Sequence, residues 1–113
     1  MKNKVYRLKK NAHFKTVYRF GKSGTTKKTV LLYKKNEEKI NRLGITVSKK
    51  IGKSVVRHRI KRLYTEAFRS IQDKILFEGY DLVIIARKGA DSLTYHEAVE
   101  DIYKLLKRGK LIK

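Results

Sequence analysis

Apolar residues recur along this chain with two different periods, and the changes of period mark its elements. Phe14, Val17 and Tyr18 fall at i, i+3 and i+4, which predicts a short helix opened by Asn11 and stopped at Gly21. Ser23 to Lys28 is polar and reads as a loop. Thr29 to Tyr33 (TVLLY) and Leu43 to Ser48 (LGITVS) are rich in strand formers and flank a polar turn, Lys34 to Lys39. They are expected to pair as an antiparallel hairpin. Beyond Gly52, the residues Val56, Ile60, Leu63, Ala67 and Ile71 line one face of a long helix, with Tyr64 and Phe68 widening it and Ser54 as its expected cap. His58, Arg62, Thr65 and Arg69 fall nearly opposite, with Arg59 and Lys61 on the flanks.

Tyr80 to Ala86 (YDLVIIA) has an unbroken apolar run, as expected of a strand covered on both faces. Thr94 and Glu97 make a T-x-x-E capping box for a last helix, whose stripe is Val99, Ile102, Tyr103 and Leu106 and whose end is Gly109. The order helix, strand, strand, helix, strand, helix predicts one α+β domain over residues 1–113, with helices packed on a single sheet.

Charge changes the picture. The chain carries 30 Lys and Arg against 10 Asp and Glu, a formal charge of +20, yet 41% of it is apolar, enough to build a core. Self-repulsion at that density is relieved by a polyanion, and nucleic acid is the leading partner because it offers dense phosphate and counterion release. A membrane surface ranks second, for want of a long basic amphipathic helix with exposed aromatics. The charge concentrates between Lys49 and Arg69, where Lys49, Lys50, Lys53, Arg57, Arg59, Lys61, Arg62 and Arg69 meet a single acid, Glu66. Since those cations share a helix with an apolar stripe, they belong to a rigid surface rather than a tail.

Candidate chemistry narrows the reading further. Without cysteine there is neither disulfide nor thiolate metal site, which suits a reducing cytosol. No apolar run approaches the ~18 residues of a membrane span, and MKNKVYRLKK lacks the apolar segment of a secretory signal. Phosphodiester hydrolysis by protein groups usually requires clustered carboxylates holding metal. The ten acids are scattered and read as solvated surface and caps, with Glu97 and Asp101 merely i, i+4 neighbours. His13, His58 and His96 are too far apart to suggest zinc. His13 and His96 read as helix-surface residues. His58, between Arg57 and Arg59, is either an idle surface imidazole or a group that hydrogen-bonds or stacks on a nucleotide. Phe14 and Tyr18 are either core or a stacking platform for unpaired bases, worth ~1–3 kcal/mol per base, with Lys15 and Arg19 beside them. Gly44 and Gly52 need no more than a bulge and a turn.

The segment LGITVSKKIGKSVVRHRIKRLYTEAFR resembles the signature of the bacterial ribonuclease P protein subunit: an Arg-Asn-Arg motif, then Lys-Arg, then a Glu-x-Phe-Arg ending. RLKKNAHFKTVYRFGKS resembles the family's first helix, YDLVIIARKGA its late strand and turn, and LTYHEAVEDIYKLLKR its final helix. The resemblance therefore covers nearly the whole chain. It implies an αββαβα sandwich, ribosomal protein S5 domain 2-like, with the basic helix in a left-handed βαβ crossover, a rare connection. It implies a subunit that binds the catalytic ribonuclease P RNA and the 5′ leader of precursor tRNA in the cytoplasm, with no obligate protein partner. The holoenzyme would be an endoribonuclease whose Mg²⁺ is bound mainly by the RNA, so that no protein side chain is catalytic and no metal site is expected on the protein.

By the same resemblance, Lys49, Lys50, Lys53, Arg57, His58, Arg59, Lys61, Arg62 and Arg69 would contact the catalytic RNA, and Phe14, Lys15, Tyr18 and Leu32 the leader. Three positions depart from the family pattern. His58 replaces the motif's Asn and adds a titratable ring, Thr65 replaces a frequent Arg, and Leu32 stands where an aromatic usually faces the leader, with Tyr33 on the opposite side of the strand. Two other classes compete: a non-catalytic RNA-binding module such as a ribosomal protein, and a DNA-binding protein using the basic helix in a major groove. Against the latter, charge is spread over the whole chain and no paired helix-turn-helix is evident.

Overall fold

Strand formers and helix stripes produce the elements their spacing predicts, but the strands do not pair in chain order. The computed structural model describes residues 4–113. Its elements are β1 (Tyr6–Arg7), α1 (Asn11–Phe20), β2 (Lys22–Thr25), β3 (Thr29–Lys35), β4 (Arg42–Thr46), α2 (Ser54–Ile71), β5 (Tyr80–Ala86) and α3 (Tyr95–Arg108). The five strands form one mixed sheet in the order β1-β4-β5-β3-β2. The expected hairpin between β3 and β4 does not form. β5, the most apolar strand, inserts between them, antiparallel to β3 and parallel to β4. Its unbroken Leu82–Val83–Ile84 run demands cover on both faces and so takes the centre of the sheet. α2 is then the connection between the parallel pair β4 and β5.

Two strands were not anticipated. Lys22–Thr25 lies in sequence where a polar loop begins, yet it pairs antiparallel with β3, opposing Ser23 to Leu32. An edge strand needs no apolar face, so its composition hides it. β1 joins the other edge, parallel to β4, and Leu8 N–H continues it by donating to Leu43 C=O at 3.0 Å.

Period-2 alternation divides the core. Leu31, Leu43, Leu82 and Ile84 face α2 and α3, which contribute Ile60, Tyr64, Phe68, Ile102, Leu105 and Leu106. Val83 faces the other way and packs with Val17 of α1 and Leu8, with Phe14, Leu32 and Ile85 at its margin. α1 thus lies alone on one face of the sheet, and α2 and α3 on the other.

The helix ends differ from expectation in part. Asn11 and Ser54 are the first helical residues of α1 and α2, and the cap positions fall on Lys10 and Lys53, neither with a side-chain cap bond. The Thr94–Glu97 capping box forms as predicted, and its hydrogen bond from the Thr94 N–H holds the Glu97 carboxyl below its ordinary range. Not every acid is solvated surface. Asp81 is buried beside Arg42, whose Nε and Nη2 donate to its two oxygens at 2.8 and 2.9 Å while Asn36 Nδ2 donates at 2.7 Å. Asp101 accepts from Thr26 and Thr29 at 2.9 and 2.7 Å, and Thr29 in turn bonds the Tyr64 hydroxyl at 2.8 Å.

Candidate nucleic-acid interface

The cationic surface begins in the turn before α2. Lys49, Lys50 and Lys53 are exposed there, and Ile51 N–H donates to Ser48 C=O at 3.1 Å to close the turn. His58, Arg59, Lys61 and Arg62 are exposed on the helix itself. Arg57 is half-buried, its Nε folded back on the Gly52 carbonyl at 3.2 Å, and Arg59 Nη2 reaches the Asp91 carbonyl beyond β5 at 3.3 Å. Neither contact neutralises charge. Among the described residues none of Arg57, Arg59, Lys61 and Arg62 takes part in an ion pair, and the Arg69–Glu66 contact at 3.4 Å is the only pair on the helix. A fixed field of unpaired guanidinium and ammonium groups is what a phosphate backbone neutralises.

The outer face does not stay cationic to its end. Thr65 sits opposite the apolar stripe on a helical wheel, yet it is buried. Arg7 of β1 crosses to donate from Nη2 to Thr65 Oγ1 at 2.9 Å, while Thr65 Oγ1 donates to the Lys61 carbonyl at 2.8 Å. Burial and, secondarily, the charge of Arg69 push the Arg7 guanidinium below its ordinary value. Arg69 is half-buried, and its Nε has no hydrogen-bond partner. Arg7, a residue far away in sequence, thus brings a guanidinium beside Thr65.

On the opposite sheet face, Phe14 and Leu32 pack on one cluster and Tyr18 lies against Phe14, with Lys15 exposed on the same helix. The two readings of the aromatic pair divide between its members. Phe14 is half-buried against the sheet, while Tyr18 is 46% exposed. Their ring centroids lie 6.2 Å apart, and the Tyr18 hydroxyl is 3.1 Å from Thr46 Oγ1. Gly44 makes no bulge, since β4 pairs with β5 in unbroken register through Gly44 and Val83. A Cβ there would lie 2.5 Å from two atoms of the Phe14 ring, so the absence of a side chain is what seats the ring on the sheet. Tyr33 faces α3, its hydroxyl beside Gly109, and does not substitute for Leu32. Ile85 joins the cleft margin and Thr46 anchors Tyr18, two residues that motif spacing did not single out. The central place of β5 sets them beside each other in the register, with Ile85 also beside Val30, an arrangement that local spacing does not encode.

His13 is half-buried rather than a surface residue. It lines a cleft of about 340 Å³ with Lys34, Arg42 and Asp81 among others. His96 is exposed, its ring edge-on to Tyr95. No group of three or more His, Asp or Glu among the described residues is placed to hold a metal. No described helix is long and apolar enough to cross a membrane.

The sequence family described as Ribonuclease P matches residues 1–110. The ribonuclease P protein component of Clostridium kluyveri is 50% identical over 110 residues, covering 96% of this chain and 98% of its own. That of Natranaerobius thermophilus is 41% identical over 111 residues, covering 98% and 96%. The solved RNase P protein of Staphylococcus aureus superposes with a TM-score of 0.85 at 36% identity, over 97% of this chain and all of that one. That of Thermotoga maritima gives 0.80 at 34% identity, over 90% and 96%. Sequence and fold agree over nearly the full length, and this chain belongs to the ribonuclease P protein family.

Proposed function

We propose that the chain binds the ribonuclease P RNA through the cationic face of α2 and the 5′ leader of precursor tRNA through the α1 cleft, and so assists Mg²⁺-dependent removal of the leader to make the mature tRNA 5′ end. The observation that carries this reading is the placement of two unlike surfaces on opposite sides of one sheet. Unpaired cations lie on α2, and a half-buried ring, an exposed ring and an aliphatic floor lie beside α1. The first suits the charge of a folded RNA, the second the faces of unpaired bases. A rigid sheet between them holds one RNA at a fixed distance from the other.

Among the described residues no three acids or histidines converge on a point where Mg²⁺ could sit. Asp81 accepts from Arg42 and Asn36 on both oxygens, Asp101 Oδ2 accepts from Thr26 and Thr29, and the capping role occupies Glu97. The proposal leaves the metal mainly to the RNA and assigns the protein binding and orientation of the two strands rather than proton transfer. Reconstitution with the cognate RNA, followed by 5′ cleavage of precursor tRNA at low Mg²⁺, is the test. The protein should stimulate cleavage, and more so for substrates with long leaders. Lack of stimulation would refute the proposal, and co-purification with ribosomal RNA alone would favour the ribosomal class.

A further inference from the structure

A third surface, both aromatic and cationic, lies at the start of β5. Tyr33, Tyr80 and Phe77 form a ladder of rings, with centroids 6.3 Å apart at each step. Phe20, the last residue of α1, lines the same groove of about 450 Å³. Phe20 is 66% exposed and Phe77 47% exposed, and the two share one groove rather than lying scattered. The segment carrying Phe77 is held firmly. Asn41 Nδ2 donates to the Phe77 carbonyl at 3.1 Å, Asn41 Oδ1 accepts from Tyr80 N–H at 2.8 Å, and Leu76 N–H donates to the Leu111 carbonyl at 2.8 Å. All charged residues lining the groove are lysines, namely Lys22, Lys34, Lys35 and Lys110.

The groove shares Lys34 and Lys35 with the His13 cleft but is separate from the α2 cationic face and from the Phe14–Tyr18–Leu32 cleft. Tyr33 points to the α2–α3 side of the sheet, and Leu32 of the α1 cleft to the other. Tyr80 opens β5, whereas Arg59 touches Asp91 beyond its far end. A strand of that length spans about 20 Å.

We propose that this groove is a second stacking site for unpaired bases of RNA. The rings take base faces, and the four lysines take the phosphates on either side. An apolar peptide would leave four ammonium groups without partners, whereas an RNA strand brings one phosphate with every base it stacks. The inference rests on the RNA-binding reading above and extends the surface over which RNA is held.

Ultraviolet cross-linking of the full-length protein to a single-stranded oligoribonucleotide of about ten nucleotides, with the adducts mapped by mass spectrometry, tests it. Adducts should appear on Phe20, Phe77 or Tyr80 as well as on Phe14 or Tyr18. Both exposed rings can be removed without opening the core. The Phe20→Ala/Phe77→Ala variant should therefore keep its thermal midpoint within a few degrees and lose roughly tenfold in affinity for the oligonucleotide by fluorescence anisotropy. Adducts confined to Phe14 and Tyr18, with unchanged affinity in the variant, overturn the inference. So does a groove that takes an apolar helical peptide which the oligonucleotide cannot displace. Stimulated precursor cleavage without adducts in this groove defeats the inference alone. Adducts here without stimulated cleavage defeat the assignment to precursor processing and leave the groove standing.

Discussion

Substituting Gly44 with alanine should set the protein against its own aromatic cleft. The added Cβ would lie 2.5 Å from Cε1 and Cζ of Phe14, well inside van der Waals contact, and 3.4 Å from Leu8 Cβ, which is ordinary. Gly44 is buried, and its φ is not positive, so the backbone itself accepts alanine. The cost is therefore the displacement of one ring, about 1–3 kcal/mol for overpacking of this kind. Removing the ring should reverse the sign. In a Phe14→Ala background, Gly44→Ala loses its clash and keeps the entropic gain of replacing glycine, a stabilisation of about 0.4–1 kcal/mol.

The coupling between the two positions, measured by urea unfolding of the four proteins of the cycle, should accordingly reach about 1.5–4 kcal/mol. A second readout is functional. A displaced Phe14 breaks the Phe14–Tyr18 pair, so Gly44→Ala should weaken binding of long-leader substrates while sparing affinity for the RNA subunit. Equal destabilisation by Gly44→Ala in both backgrounds would refute the seating of Phe14 on Gly44. Unaltered leader affinity would refute the use of that ring as a platform.

Replacing Arg57, Arg59 and Arg62 together with glutamine should weaken assembly with the RNA and reduce the slope of log affinity against log salt by about three units, one for each phosphate contact. An unchanged slope removes these residues from the interface. Asp81→Ala leaves the Arg42 guanidinium and the Asn36 amide facing an empty site, and should cost about 3–5 kcal/mol in urea unfolding. The Asp81→Leu/Arg42→Met pair should cost much less, and equal losses would show that the ion pair is not what the site requires. Tyr64 is pushed up to about 12, chiefly by burial, so its neutral form is the folded one. Relative to an unfolded tyrosine near 10, its contribution is intact below pH 10 and is lost between pH 10 and 12, about 2–3 kcal/mol in all. Tyr64→Phe should be slightly less stable at pH 8 and should escape this extra alkaline loss, and parallel curves for the two proteins would refute it.

The helices were legible in the sequence because each buries one stripe, and a stripe has a period that neighbours cannot disguise. Ile60, Tyr64, Ala67, Phe68 and Ile71 lie where their spacing puts them. Strand partners were not legible, since TVLLY and LGITVS look like neighbours until the more apolar YDLVIIA claims the place between them. The capping box at Thr94 was found because two side chains specify it. Asn11 and Ser54 misled because a residue able to cap is also able to begin the helix. The α2 cations were evident from composition, but the burial of Thr65 was not, because Arg7 reaches it from β1 at the other edge of the sheet. Gly44 concealed its role for a related reason. Its importance is the shape of a ring that arrives from α1, and no local pattern records that.

The central place of β5 also constrains how the chain can fold as it is made. β3 and β4 are synthesised first, each with an outer neighbour already made, β2 and β1, yet the two pairs are joined only when residues 80–86 leave the ribosome. Until then β3 and β4 each keep one apolar edge open, the condition under which nascent chains associate with one another. The unpaired charge that suits this protein to RNA then has an earlier use. A growing chain this basic repels its copies and stays solitary until its keystone strand arrives.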